Sequence, residues 1–200
     1  MLIKRIPAGI YAANCYIIAD ENTKEAIVID PGGDEDDIIN AILEKELQIK
    51  AVLLTHGHID HVGALKPICE QYNVKAYISE KDVELMEKGS YVFGNIKDVE
   101  KVYIKDNEVI KFGSIEVKCI ETPGHTPGGL SFLIGEGLFT GDTLFSGSIG
   151  RTDFEGGDYD TIIKSIIEKL IPLGDNLVVY PGHGPATSIY QEKLTNPFIN

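Results

Sequence analysis

The sequence predicts an α/β fold formed by one domain, and three observations support this prediction. Short β-type runs alternate along the chain with amphipathic helical patterns, an order that places helices on the faces of a sheet. Several runs, such as 51–54 and 177–180, are continuously apolar, which is typical of strands buried on both faces. Neither an internal repeat nor a linker-like change of composition interrupts the 200 residues, a length that suits one domain with a full hydrophobic core.

The elements follow from these patterns in chain order. The predicted strands are residues 2–6, 14–19, 26–30, 51–55, 75–78, 115–121, 129–134, 137–140 and 177–180. We expect Asp34 to cap a first helix whose apolar face extends to Leu47, with acidic residues in the first turn where the helix dipole favours them. The other predicted helices are 64–72, 80–88 and 159–170.

The polar, irregular segment 89–107 has two interpretations. It contains Tyr91, Phe93 and Tyr103, so it could form a flap over a functional site. It could equally pack on the edge of the sheet, and this second interpretation is slightly favoured.

Charge and composition exclude several classes of function. With 18 Lys and Arg against 31 Asp and Glu, the formal net charge is −13, which argues against nucleic acid as a partner because phosphate binding needs a basic surface. No apolar run approaches the roughly 18 residues of a membrane-spanning helix, so no membrane partner is expected. The cysteines Cys15, Cys69 and Cys119 form no CxxC pair, which indicates reduced structural thiols of a cytoplasmic protein.

The five histidines are concentrated directly after predicted strands. Three lie within six residues, in Thr55-His56-Gly57-His58-Ile59-Asp60-His61. His125, Asp142 and His183 each follow another strand and stand beside glycine or proline. Because ligand sites of α/β sheets gather at the carboxyl ends of strands, we expect these loops to converge.

Imidazole and carboxylate side chains together are ligands for zinc, iron or manganese. A lone histidine is more often a structural residue than a ligand, but this cluster leaves little room for that interpretation. The candidate ligands exceed what one ion needs and are His56, His58, Asp60, His61, His125, Asp142 and His183. The pattern therefore predicts two metal ions joined by one bridging carboxylate, an arrangement that holds a hydroxide and polarises a carbonyl or phosphoryl oxygen.

These motifs resemble the metallo-β-lactamase-fold hydrolases, and among them the compact bacterial form of the glyoxalase II-like (hydroxyacylglutathione hydrolase-like) branch. The resemblance extends from Asn14-Cys15-Tyr16 and Ile29-Asp30-Pro31-Gly32-Gly33, through the H-x-H-x-D-H motif, to Gly182-His183-Gly184-Pro185. It implies an αββα sandwich built by a single domain over residues 1–200, without the C-terminal helical extension of full-length glyoxalase II.

The resemblance also implies a role for each site residue. The first metal would be bound by His56, His58 and His125, and the second by Asp60, His61 and His183. Asp142 would bridge the two ions, which are expected to be zinc, with iron or manganese as alternatives. Asp60 and Asp142 are the catalytic candidates, and Asp30 would support the site from below as a buried carboxylate.

The activity implied is hydrolysis of a small anionic thioester of the S-lactoylglutathione type by a metal-bridging hydroxide. A thiolate can leave without being protonated by a strong acid, since the pKa of a thiol is about 8.5. Arg151 would bind the anionic substrate, or else form a structural pair with Asp153 or Glu155. Gly184-Pro185 stands where the family has an aromatic residue, which leaves the glutathione half of the substrate poorly explained.

Other activities remain open on the same motifs. The run Gly150-Arg151-Thr152-Asp153-Phe154 also resembles the persulfide dioxygenases, which would hold one iron with His56, His125 and Asp142. A lactonase or phosphodiesterase of the same superfamily, and a non-catalytic metal protein, are further alternatives. The sequence does not indicate the oligomeric state.

Overall fold

Two six-stranded β-sheets pack face to face in a computed structural model that describes residues 1–199. The first sheet has the order β1 to β6, with bounds Leu2–Ala8, Ala13–Ala19, Glu25–Ile29, Gln48–Leu53, Ala76–Ile78 and Lys101–Tyr103. Strands β1, β2 and β3 are antiparallel neighbours, whereas β3 to β6 run parallel. Parallel neighbours need crossover connections, and each of these contains helix. The helices are α1 (Glu35–Leu43), α2 (Ile59–Val62) with α3 (Leu65–Tyr72), and α4 (Glu80–Lys88).

The second sheet is formed by the C-terminal half of the chain. Its strand order is β14-β13-β10-β9-β8-β7. The bounds are β7 Val109–Phe112, β8 Ile115–Glu121, β9 Leu130–Ile134, β10 Gly137–Gly141, β13 Val178–Pro181 and β14 Thr187–Ser188. A short separate hairpin, β11 (Leu144–Phe145) and β12 (Ser148–Ile149), follows β10. The parallel pair β10 and β13 is connected through α5 (Tyr159–Ser165), which continues as a π-helical turn, Ile166–Leu170. Helix α6 (Ile189–Thr195) follows β14.

The side chains of β2 show why the layers stack. Cys15 and Ile17 point into the core beneath α1 and α3, whereas Tyr16 and Ile18 point into the core between the sheets. This alternation is the period of two of a strand buried on both faces. A third core lies outside the second sheet, under α5 and α6. The order helix, sheet, sheet, helix confirms the predicted αββα sandwich.

Several local predictions are corrected by the structure. Helix α1 ends at Leu43 rather than near Leu47, and Asp34 does not cap it with its side chain. The Asp34 carboxylate instead accepts the Gly9 N–H at 2.8 Å and ties the β1–β2 turn to this loop. The predicted helix 159–170 is α-helical only to Ser165. Strands β6, β7, β11, β12 and β14 and helix α6 were not predicted. Within residues 1–199, no helix is long and apolar enough to cross a membrane.

Candidate metal centre

The predicted site residues converge at one edge of the sandwich. His56 and His58 lie in the loop after β4, and Asp60 and His61 lie on the short helix α2 that follows. The loops after β8, β10 and β13 carry the remaining candidates, which are His125, Asp142 and His183. The structure therefore brings all seven predicted ligands together, as the strand ends indicate.

Six of these side chains form two groups. The first ligand group consists of His56, His58 and His125, and the second ligand group consists of Asp60, His61 and His183. In each group, one potential ligand atom per residue lies within 4.8 Å of the others. The closest pair in the first group is His58 Nδ1 and His125 Nε2, at 2.9 Å. In the second, His183 Nε2 lies 3.2 Å from Asp60 Oδ2.

Asp142 lies between the two groups. One carboxylate oxygen, Oδ2, is 3.5 Å from His125 Nε2 and 3.6 Å from His183 Nε2. The other, Oδ1, is 3.4 Å from His61 Nε2. A single carboxylate thus faces ligands of both groups, which is the position expected for a bridge.

Hydrogen bonds orient the imidazole rings. The Nδ1–H of His125 donates to the Arg151 carbonyl at 2.7 Å, and His61 Nδ1 lies 3.0 Å from Asp30 Oδ2. Thr55 donates its hydroxyl to Asp30, so it can accept from His56 Nδ1 at 3.0 Å. In their neutral forms, the rings of His56, His61 and His125 therefore each have an acceptor for the Nδ1 proton, which leaves Nε2 as the atom available to a metal.

The residues fit a divalent metal ion by the atoms they leave unpaired. His56 Nε2, His61 Nε2 and Asp142 Oδ1 are buried and have no hydrogen-bond partner among residues 1–199. Buried polar atoms are nearly always hydrogen-bonded, since an unpaired one costs about 1–3 kcal/mol. Unpaired nitrogen and oxygen atoms of this kind, gathered at one place, are those that coordinate a metal ion.

The first ligand group is held in its neutral form. Burial, together with the neighbouring imidazoles, lowers the pKa of His56 well below its ordinary value. Burial likewise lowers the pKa of His58 to about 3, and that of His125 moves in the same direction. Neutral imidazole is the form that binds metal, so this group needs to release no proton at neutral pH.

The second ligand group is organised by opposite charges. Burial opposes protonation of His61, but Asp142 and Asp30 raise its pKa well above the ordinary value. A hydrogen bond to Asp60 raises the pKa of His183. Burial would raise the pKa of Asp60, but His183 and His61 hold it below its usual range. The carboxylates and imidazoles of this group thus stabilise one another's charged forms.

Asp30 lies beneath the second ligand group, where the resemblance predicts a supporting carboxylate. It is buried and accepts the Thr55 N–H at 2.7 Å and the Thr55 hydroxyl at 2.6 Å. Its remaining contact is His61, which it holds through Nδ1. The carboxylate thus connects the end of β3 to the ligand loop after β4.

Arg151 makes the structural pair that the sequence left as an alternative. Its guanidinium donates to Asp153 at 2.7 and 2.5 Å and lies 3.7 Å from the centre of the Phe154 ring. The side chain is 55% exposed, so it can still meet an anion at the mouth of the site. Binding of substrate by Arg151 stays a prediction.

One part of segment 89–107 packs at the edge of the sheet, and another part lies over the ligand loop. Residues Lys101–Tyr103 form edge strand β6, as the favoured interpretation expects. Residues near Phe93, however, pair with the ligand loop, because Ile59 N–H donates to the Val92 carbonyl and Phe93 bridges to His58. The Phe93 and Phe154 rings lie 4.8 and 5.7 Å from the His58 ring, so aromatic side chains line the mouth from two sides.

Two buried polar residues beside the ligand loops escaped the sequence prediction. Asp82 on α4 accepts hydrogen bonds from Gly57 and Thr126. Asn14 on β2 donates its amide to the carbonyls of Pro181 and Gly184, on either side of His183. Each is a polar residue within an otherwise apolar buried face, which is the signal that could have found it.

Comparison with known proteins identifies the group to which this architecture belongs. Residues 8–183 match the Metallo-beta-lactamase superfamily. The chain belongs to the metallo-beta-lactamase superfamily. It therefore has the fold of the metal-dependent hydrolases of that superfamily, and its His and Asp clusters are those of a divalent-metal site.

Three similar proteins cover nearly the whole chain. Hydroxyacylglutathione hydrolase GloC from Haemophilus influenzae is 42% identical over 210 residues, which are 100% of this chain and 99% of that protein. The structure of BLEG-1 B3 metallo-beta-lactamase superposes with a TM-score of 0.92 at 33% identity, covering 99% of both chains. TTHA1623 in a di-iron-bound form gives a TM-score of 0.87 at 30% identity, over 98% of this chain and 99% of that one.

Proposed function

We propose that this metallo-beta-lactamase superfamily member is a dinuclear thioester hydrolase of the hydroxyacylglutathione type, acting as one domain over residues 1–200. The observation that carries the proposal is the position of Asp142 between two complete ligand groups. The first ligand group would hold one ion, the second ligand group the other, and Asp142 would contact both. The 42% sequence identity to GloC, which extends over the whole chain, supports the substrate class, and the di-iron-bound form of the similar protein TTHA1623 supports two ions.

Divalent ions at these positions supply Lewis acidity, both for activating water and for stabilising charge on a carbonyl oxygen. The chain's own residues supply orientation. Asp60 is hydrogen-bonded to His183 and 21% exposed, and its pKa is held low, so its carboxylate can accept a hydrogen bond from an attacking water and fix the direction of that water. Phe93 and Phe154 border the ring of His58 and limit water at the mouth.

Arg151 is proposed to contact an anionic part of the substrate at this mouth. Its ion pair with Asp153 is exposed at both ends, and such solvent-screened pairs contribute little to stability. A substrate carboxylate can therefore share or replace Asp153 at little cost. The partner is then a small anionic thioester rather than nucleic acid. The buried free thiols Cys15, Cys69 and Cys119 favour a reducing compartment, and we expect a cytoplasmic location.

The experiment combines metal analysis with a substrate panel. Protein purified without added metal is analysed for zinc, iron and manganese and then assayed on S-D-lactoylglutathione, a β-lactam, a lactone, a phosphodiester and glutathione persulfide. About two ions per chain and preferred turnover of the thioester support the proposal. One iron per chain with oxygen consumption on the persulfide would overturn it, as would β-lactam, lactone or phosphodiester hydrolysis without thioester turnover.

A further inference from the structure

Asp82 is a buried carboxylate that the proposed chemistry does not use. It lies in the first turn of α4, and none of its surface is exposed. Oδ2 accepts the Gly57 N–H at 2.8 Å and the Thr126 hydroxyl at 2.9 Å, and Oδ1 accepts the Gly128 N–H at 2.7 Å. None of the ion pairs among residues 1–199 includes Asp82, so backbone and hydroxyl donors alone satisfy the carboxylate.

The donors belong to the two loops that carry the first ligand group. Gly57 stands between His56 and His58, and Thr126 directly follows His125. One side chain therefore connects the loop after β4 to the loop after β8, which come from different sheets. The three imidazoles of the first ligand group are supplied by these two loops and by no other part of the site.

Close packing leaves no room for a looser connection. A Cβ on Gly57 would lie 2.9 Å from Met86 Sδ, and a Cβ on Gly128 would lie 2.5 Å from Asp82 Oδ1. Both glycines thus let the loops approach α4 closely enough to bond to the carboxylate. The Cβ on Gly128 would also lie 2.7 Å from the backbone nitrogen of Asp82, so a larger residue there would push the His125 loop away from the helix.

The chemistry of the side chain is also specific. A carboxylate accepts at both oxygens, whereas an asparagine would turn its NH₂ group toward an N–H donor and leave a buried donor unpaired. A buried carboxylate without a cation is costly, because removal from water disfavours its charge. Burial raises the pKa of Asp82 to about 6 despite three hydrogen bonds. Packing alone would be served at lower cost by an apolar residue.

We propose that Asp82 is a positioning residue that holds the His56–His58 loop and the His125 loop in register, so that the first ligand group can bind a metal ion tightly. The proposal rests on the metal-binding part of the proposed function but not on the thioester as substrate. Asp82 touches no ligand and no reacting atom. It acts through the backbone beside the ligands.

The test measures metal affinity rather than turnover. Metal-free full-length protein is titrated with Co²⁺ and with Zn²⁺ against a chelator, and the Co²⁺ absorption spectrum is recorded. Asp82→Ala is expected to weaken binding of the ion held by the first ligand group by about 10–100-fold and to change the Co²⁺ spectrum, as is typical when supports of metal ligands are removed. Asp82→Asn retains part of the hydrogen bonding and is expected to give a smaller loss of affinity in the same direction.

Glu192→Ala is the matched control. Glu192 is another fully buried carboxylate, and within residues 1–199 it accepts hydrogen bonds from Gly147 N–H, the Thr187 hydroxyl and the Asn196 amide. It joins α6 to segments that carry no predicted ligand. We expect the control to lower the unfolding temperature while leaving the metal affinity and the Co²⁺ spectrum of the wild type.

Folded Asp82→Ala with wild-type affinity and spectrum would overturn the proposal, as would an equal loss of affinity in Glu192→Ala. If Asp82→Ala does not fold, wild-type affinity in Asp82→Asn is the contradicting result. If the wild type binds metal with an affinity that depends on Asp82 but does not turn over the thioester, only the proposed substrate is refuted.

Discussion

The first ligand group is fully buried and contains no carboxylate, whereas the second contains Asp60 and leaves part of His183 exposed. Burial keeps the imidazoles of the first group neutral. Carboxylates instead raise the pKa of His61 and His183, so a metal at the second group has to compete with protons for these imidazoles. The first ligand group is therefore organised mainly by packing, and the second mainly by the balance of charges. We therefore expect the first position to bind its ion more tightly.

Removing the carboxylate that faces both ligand groups should have the largest effect. Asp142→Ala deletes a carboxylate that faces His61, His125 and His183. Both ions should be lost or weakened by more than about a hundredfold, beyond the range seen when only a supporting residue is removed. Metal content after dialysis and activity are the measurements. Retention of both ions and of activity would refute the bridging role.

A pH series on metal-free protein tests how Asp82, the buried support of the first ligand group, contributes to stability. The folded state raises the pKa of Asp82 to about 6, above the ordinary aspartate value near 3.8, so the folded state binds this proton more tightly than the unfolded state. Asp82 therefore stabilises the fold most at low pH, and this contribution falls as pH rises from about 4 to about 6. The full difference is at most about 3 kcal/mol.

The measurement is the free energy of unfolding of wild type and Asp82→Asn between these pH values. Because the asparagine does not titrate, the stability of the wild type relative to the variant should decrease as pH rises. A difference that is independent of pH contradicts the assignment of a raised pKa to Asp82.

The second position has a support of its own in Asn14. This buried amide donates to the carbonyls of Pro181 and Gly184 at 2.9 and 3.0 Å and so holds the loop of His183. Asn14→Ala should weaken the second ion by about tenfold and leave the first unchanged, the opposite of the effect of Asp82→Ala. Competition titrations with both variants measure this directly. Weakening of the tighter ion by Asn14→Ala would show that the two positions are not supported separately.

The smallest effects are expected at the mouth. Arg151→Ala should raise KM for an anionic thioester by a few-fold, about what an exposed charge contact contributes, with metal content unchanged. Asp153→Asn is the matched variant, because it frees the same guanidinium and should lower KM. Equal KM values in all three proteins would remove Arg151 from the substrate site.

The convergence of the candidate ligands was predictable from the sequence because its signal is local. The run from His56 to His61 places four candidates after one strand, and the remaining three follow strands that are themselves clearly apolar. Helix 80–88 was predicted with its observed bounds, yet the role of Asp82 was not. Its partners lie in two distant loops, and hydrogen bonds between distant residues leave no periodic pattern in the sequence.

The elements that were missed are short or lie at edges. Strands β6 and β14 have three and two residues, too few for an alternating pattern to be recognised. Asp34 has the residue type of a helix cap, but Gly9 presents a competing donor from another turn. The contact between Phe93 and His58 likewise depends on how segment 89–107 folds back over the ligand loop.

If the two ligand groups bind two ions of unequal affinity, as we propose, a stepwise Zn²⁺ titration of metal-free protein resolves the two binding events. We predict two steps in the wild type, each of about one ion per chain, as expected for a dinuclear centre. His58→Ala should abolish the tighter step, and His183→Ala should abolish the weaker step while the tighter one persists. A single step in the wild type, or the loss of the same step in both variants, would contradict the account.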